Sequence, residues 1–340
     1  LTQCLRSLPL EATSDQPINR PRLPPQSATP IGGKPTMNAT KCTIAHRLYS
    51  LLILFLLVPS HALAESPVAK RLMINGFEMP YEEQGSGPPV VFVHGAFSDS
   101  RVWAPQRETI AAKFRFIAVT QRYFGTDPWP DDGANYSVVT HTSDLAAFIR
   151  ALDIGPVYLV GRSYGGTVAL RTALFFPDLV KGVVAQEPTI AASAVNEPAQ
   201  QALLKRERGG LAGAKQAAKN GDIEEATRLF ADWTNDQPGG FDALPPALRQ
   251  AHLENGLTIA LHFAAPRPPK ITCEQLSKMQ PPVVITTGET TRPLFKVLAE
   301  TAHQCIPGSE LVRIANARHK AFSQNPEAFN QVLLQFLGKD

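Results

Sequence analysis

Tyr158-Leu159-Val160-Gly161-Arg162-Ser163-Tyr164-Gly165-Gly166-Thr167-Val168-Ala169-Leu170 is the stretch that decides how this chain folds. Its first residues are a short apolar run suited to a buried strand, and its last carry the apolar content of a helix. Between them, Gly161-Arg162-Ser163-Tyr164-Gly165 leaves room only for a tight strand-to-helix turn. Gly161 and Gly165 lack the Cβ that would collide with neighbouring backbone in such a turn. The turn lifts Ser163 Oγ above the sheet and sets it at a helix N-terminus. Free N–H groups and the helix dipole there favour developing negative charge. Ser163 is therefore the candidate nucleophile. Gly-x-Ser-x-Gly is common by itself, and the strand–turn–helix setting is what makes it informative.

Outward from this turn, apolar runs recur at Val90 to Val93, Phe114 to Thr120, Val157 to Val160, Val183 to Ala185, Val283 to Thr286 and Leu311 to Ile314. Continuous rather than alternating hydrophobicity implies strands covered on both faces, as in a parallel sheet. His141 to Leu152, Gly165 to Phe176 and Pro326 to Leu337 carry helical spacing between and after them. The expected fold class is α/β, a mostly parallel doubly wound sheet with helices on both sides. The alternation breaks over residues 190–270, which are rich in Ala, Lys, Arg and Glu. Gln200 to Lys219 and Ile223 to Trp233 read there as helices separated by Asn220-Gly221. Phe230, Trp233, Leu257, Leu261 and Phe263 are too apolar for a disordered linker. Residues 190–270 are expected to form an inserted helical cap, with the sheet domain built from 65–189 and 271–340.

The start of the chain reads differently. Residues 1–36 are polar and Pro-rich with no apolar period, and are expected to be untranslated or disordered leader. Met37 opens a second pattern: Lys41 and Arg47, an apolar run from Leu48 to Val58, then Ala62-Leu63-Ala64. This is the pattern of a secretory signal peptide over 37–64, implying an exported (periplasmic or secreted) protein. The apolar run is about half the ~20 residues a membrane span requires, so no anchor is expected after cleavage. The chain has 33 Lys and Arg against 30 Asp and Glu; removing residues 1–64, with six and two of them, leaves 27 and 28. A near-neutral surface without a basic block gives no footprint for nucleic acid. Cys273 and Cys305 remain after the leader, an even pair that an oxidising compartment can join. Neither stands in a metal-ligand pattern, so no metal is implied.

Serine acyl transfer needs backbone donors for an oxyanion and a base for the hydroxyl. His94-Gly95-Ala96-Phe97 follows the run Val90 to Val93 directly, and makes Ala96 N–H, ahead of Phe97 N–H, a candidate donor beside Tyr164 N–H. The base should follow the serine in the chain. Among the histidines, His319 alone follows the last strand and precedes the final amphipathic helix, in Ile314-Ala315-Asn316-Ala317-Arg318-His319-Lys320. His94 lies before the serine. His141, His252, His262 and His303 sit in helical text and are assigned surface or structural roles.

Together the serine turn, the His94-Gly95 loop, Gln121-Arg122-Tyr123-Phe124-Gly125 after the next strand, and the late His319 resemble the α/β-hydrolase fold family from about Met73 to the C-terminus, the cap excepted. The resemblance implies a third residue, an acid, commonly placed after the seventh strand shortly past a Gly. Here that segment reads Thr286-Thr287-Gly288-Glu289-Thr290-Thr291, with Glu289 adjacent to the Gly. Some members of the family carry the acid after the sixth strand instead, where this chain has Glu187 in Gln186-Glu187-Pro188. Burying an unpaired carboxylate at such a strand end is costly, which favours Glu187, with Glu289 the alternative. The resemblance implies a serine hydrolase of carboxylic esters that needs no cofactor and acts on a small or medium, partly apolar ester or lactone. Phe97, Trp103, Tyr123, Phe124, Phe230, Trp233 and Phe263 are the expected pocket walls. A lactonase, a carbon–carbon bond hydrolase or a cofactor-free perhydrolase would share the same residues. A non-catalytic binding protein on the same scaffold is the alternative of another class. The serine separates the chain from dehalogenases and epoxide hydrolases of this fold, which use Asp.

Overall fold

The computed structural model describes residues 67–339; the expected leader over 1–36 and signal peptide over 37–64 lie outside the described residues. The strands are β1 (Val68–Ile74), β2 (Phe77–Gln84), β3 (Pro89–Val93), β4 (Arg115–Val119), β5 (Val157–Arg162), β6 (Val180–Gln186), β7 (Val283–Gly288) and β8 (Glu310–Ile314). They form one sheet in the order β1-β2-β4-β3-β5-β6-β7-β8. All neighbours from β4 to β8 pair in parallel, while β1–β2 and β2–β4 are antiparallel. The reversal of strand order at β3 opens a crevice at the carboxyl ends, where open α/β sheets bind ligands.

The apolar runs distribute residue by residue between two cores. Val91 and Val93 of β3, Ile117 and Val119 of β4 and Leu159 of β5 enter one, beneath helices Val138–Leu152, Ser163–Phe175 and Pro293–Cys305. Val90, Phe92, Phe116, Ala118, Tyr158 and Val160 enter the other, beneath helices Ala104–Ala111 and Pro326–Leu337. Unbroken runs of apolar residues are what a sheet covered on both faces requires. The hairpin β1–β2 is not anticipated by runs that begin at Val90. Its turn is Asn75-Gly76, both at positive φ (44° and 72°), joining Ile74 to Phe77. That dipeptide favours two-residue hairpins because both positions must adopt left-handed backbone.

Between β6 and β7 run helices Pro198–Gly209, Ala212–Lys219, Ile223–Asn235, Pro246–Glu254 and Thr258–Ala264. The helix expected over Gln200 to Lys219 is divided at Gly210-Leu211. Gly210 lies against Trp233, where a Cβ would stand 2.8 Å from the indole nitrogen, so the chain turns there. Cys273 and Cys305 are disulfide-bonded across a sequence separation of 32. The bond ties helix Cys273–Leu276, which leads into β7, to the end of the helix that follows β7. Constraining the unfolded chain over such a loop stabilises the fold by roughly 3–4 kcal/mol. The double substitution Cys273→Ser/Cys305→Ser is expected to lower the unfolding free energy by about that amount in urea titration.

Candidate active site

Ser163 follows β5 immediately and has φ +50°, a left-handed conformation rare outside glycine. The turn that produces it is tight enough to exclude side chains. A Cβ on Gly161 would lie 2.5 Å from the Gly165 carbonyl oxygen, and one on Gly165 would lie 2.2 Å from that of His94. The helix Ser163–Phe175 begins at the serine, so the Tyr164 N–H has no intrahelical acceptor. Ala96 lines the same cavity as Ser163 and His319, joined by Phe97, Arg162, Thr227, Phe230, Ala231, Thr234, His252 and Lys320. The cavity is narrow, about 20 Å³, comparable to the space of an ordered water.

Glu187 follows β6 directly, as Ser163 follows β5, and is also in left-handed backbone at φ +45°. It is fully buried. Its Oε1 accepts hydrogen bonds from Thr287 Oγ1 and Gly288 N, both 2.8 Å. Its Oε2 accepts from Thr291 Oγ1 at 3.0 Å and from His319 Nδ1 at 2.5 Å. Thr287, Gly288 and Thr291 thus stand at and just after the end of β7, where the resemblance implies an acid, and hold the carboxylate arriving from β6. Glu289 is exposed and its Oε2 accepts from Asn316 N at 3.0 Å, so it has no bond to His319. The proton on His319 Nδ1 is committed to Glu187, which leaves Nε2 as the ring's lone pair. Phe295 stacks on the imidazole, with centroids 3.7 Å apart and planes inclined by 15°. Burial lowers the His319 pKa; Glu187 opposes this, while Arg162 and Lys320 push in the same direction as burial.

The other histidines have fixed partners. His94 Nδ1–H donates to the Gly95 carbonyl and Nε2 accepts from Gln121 N, so it buttresses the loop bearing Ala96. His141 bonds the Tyr164 hydroxyl at 2.6 Å. His252, expected in a surface or structural role, also stands in the cavity wall. Its Nδ1–H donates to Phe97 O, and Nε2 meets Lys320 Nζ at 3.2 Å. Burial beside Arg162 pushes the Lys320 ammonium down to about 7. Neither His252 nor Lys320 carries a local sequence signal, since their proximity depends on how helix Pro246–Glu254 folds back over the sheet.

Of the expected pocket walls, Phe97 and Phe230 line the cavity, with ring centroids 4.3 Å apart. The other five stand elsewhere. Trp103 is wholly buried in the core on the opposite face of the sheet, against Phe92 and Phe322. Tyr123 and Phe124 pack around Tyr136 and His141, behind Tyr164. Trp233 donates its Nε1–H to Glu207 O and sits edge-on to Phe295, one layer behind His319. Phe263 backs Phe230 and lies beneath the Lys215 ammonium. Each is apolar and large, and each found a core partner nearer than the cavity.

Residues 88–326 match the model of the alpha/beta hydrolase fold. The chain belongs to the alpha/beta hydrolase family. A 2-(acetamidomethylene)succinate hydrolase of Mesorhizobium japonicum is 28% identical over 281 residues, spanning 79% of this chain and 95% of that protein. An esterase of Thermogutta terrifontis superposes with a TM-score of 0.61 at 23% identity, covering 81% of this chain and 99% of that structure. Est816, an N-acyl homoserine lactone degrading enzyme, superposes with a TM-score of 0.62 at 21% identity, covering 78% and 100%. At these identities the two superpositions speak for the fold, and the chemistry of this hydrolase rests on its own cavity.

Proposed function

We propose that this hydrolase is an exported serine esterase in which Ser163 is the nucleophile, His319 the base and Glu187 the acid that orients it. The observation that carries the reading is the 2.5 Å bond from His319 Nδ1 to Glu187 Oε2, made by a histidine that lines one cavity with Ser163. His319 Nε2 takes the Ser163 proton as Oγ attacks the ester carbonyl, and the imidazolium is stabilised by Glu187. The amides of Tyr164 and Ala96 receive the oxyanion. Protonated His319 returns its proton to the leaving alkoxide, and then activates water to release the acyl group from Ser163. Phe97, Phe230, Ala96 and Ala231 give the space beside Ser163 an apolar, confined wall, which leaves little room for a long neutral chain. Export is supported by the Cys273–Cys305 disulfide and by the charged, apolar and small-residue sequence of 37–64.

The test is a p-nitrophenyl ester series from acetate to decanoate beside an acyl homoserine lactone panel, on the mature chain and on Ser163→Ala. Among these neutral esters, fastest turnover of the shortest, lost in Ser163→Ala, is the expected result. Turnover of neither esters nor lactones by the mature chain contradicts it.

The acid limb of kcat/KM carries a second expectation. His319 must be neutral to act as base, and its pKa lies below the ordinary 6.5. The rate should therefore fall only at a pH below that value. Lys320 is one of the charges that hold His319 down. Lys320→Met removes a neighbouring cation, so the limb should move to higher pH in a pH–rate profile; movement to lower pH would contradict this arrangement.

A further inference from the structure

A second cavity, about 710 Å³, opens on the other side of Tyr164 from the catalytic one. It lies between the start of helix Ser163–Phe175, the segment after β6, and the cap. Its size suits a small-molecule site far better than the narrow catalytic cavity does. Its charged lining is entirely basic: Arg171, Arg208, Lys215, Arg267 and Lys270, with no Asp or Glu. None of the five forms an ion pair among the described residues, whereas Arg71, Arg101, Arg122 and Arg292 elsewhere in the fold do find carboxylates. Arg171 is the telling member. It is only 6% exposed, faces this cavity, and its Nε is buried without a hydrogen-bond partner. Its guanidinium lies over the Phe175 ring at 5.2 Å and makes no hydrogen bond or ion pair to an acceptor among the described residues. A buried guanidinium without an anion is costly, and a bidentate oxyanion is the group that fits its fork. Arg208 and Arg267 are close enough for one to disfavour the charge of the other, a repulsion that an anion between them would relieve.

The cavity also adjoins the serine. Thr167, in its wall, donates its hydroxyl to the Ser163 carbonyl at 3.3 Å. Tyr164 and His262 line it too, and the His262 ring stands 5.5 Å from Phe97 of the catalytic wall. One layer of rings separates the two cavities. We propose that the basic cavity binds the anionic end of the substrate, a carboxylate held by Arg171, so that the preferred esters carry an acid on a chain reaching from Ser163. The separation follows from the helix: eight residues from Ser163 to Arg171 rise about 12 Å. This rests on the serine esterase reading, and rotation of Tyr164 and His262 out of the partition would join the two spaces.

The experiment compares p-nitrophenyl monoesters of dicarboxylic acids, from glutarate to sebacate, with their neutral methyl diesters. On the mature chain the free acids should be preferred at least tenfold in kcat/KM, most at chain lengths that span ~12 Å. The preference should fall as salt rises, since it is electrostatic. Arg171→Gln should reduce the preference at least tenfold through KM for the acid. The exposed pair Arg208→Gln/Arg267→Gln should reduce it as well, and serves if Arg171→Gln does not fold. Equal rates for acid and diester, or an Arg171→Gln loss that is the same for both, overturn the proposal. If Ser163 proves unreactive, the esterase reading fails separately. Equilibrium dialysis of sebacate then decides the cavity alone. Binding weakened at least tenfold by Arg208→Gln/Arg267→Gln upholds an anion site, and no binding removes it.

Discussion

Glu187→Gln is expected to lower kcat by about 10⁴-fold while leaving the fold intact, because it reverses the proton on the His319 imidazole, the proposed base. The geometry dictates how. Glu187 Oε1 is held by two donors, Thr287 Oγ1 and Gly288 N, so the carbonyl oxygen of a glutamine would stay there. The amide nitrogen would then occupy the position of Oε2, facing His319 Nδ1. An N–H aimed at Nδ1 makes that nitrogen the acceptor and moves the ring proton to Nε2, where a base needs its lone pair. Glu289→Gln should change kcat by less than about twofold, since that carboxylate is exposed and caps Asn316 N. Steady-state kinetics on both variants checks the pair. A large loss in Glu289→Gln and little in Glu187→Gln would reverse the assignment.

The second large effect is on folding. Gly165→Ala would bring a Cβ to 2.2 Å and 2.3 Å from the carbonyl oxygens of His94 and Val93. Both obstacles are backbone at the end of β3, the strand beside β5 in the centre of the sheet. Neither can rotate away as a side chain would, so the turn or the strand must move. A cost of at least about 4 kcal/mol is expected, as for severe overpacking in a rigid core. Chemical denaturation should show it, and a variant of wild-type stability would mean the helix sits farther from β3.

What could be read from residues alone was whatever a local rule forces. The strand–Gly–x–Ser–x–Gly–helix turn is one such rule, because only glycine admits the contacts around it. The run Val90 to Val93 before His94-Gly95 is another, as both faces of that strand are covered. Glu187 was legible because a carboxylate at the end of a buried strand needs a partner. What its partners would be was not legible: Thr287, Gly288 and Thr291 come from another strand end, about a hundred residues later. The cap could be recognised as helical, yet its facing could not. An amphipathic stripe states that a side chain will be buried, not against what. The sequence therefore points Trp103, Tyr123, Phe124, Trp233 and Phe263 toward the cavity, whereas they belong to packing layers around it. The place of Lys320 and His252 in the cavity wall was not legible for the same reason. Each is unexceptional in its own segment, and the contact between them is made by the cap. The hairpin before β3 did carry a local signal in Asn75-Gly76, and its antiparallel pairing extends the sheet beyond what the apolar runs describe.

The central claim is that Ser163 is an activated nucleophile, and a fluorophosphonate probe reads it most directly. Incubated with the mature chain, the probe should form one covalent adduct, located by peptide mass spectrometry on Ser163. Labelling should disappear in Ser163→Ala and slow sharply in His319→Ala. An unlabelled Ser163 in folded protein, or an adduct on another residue, would contradict the account.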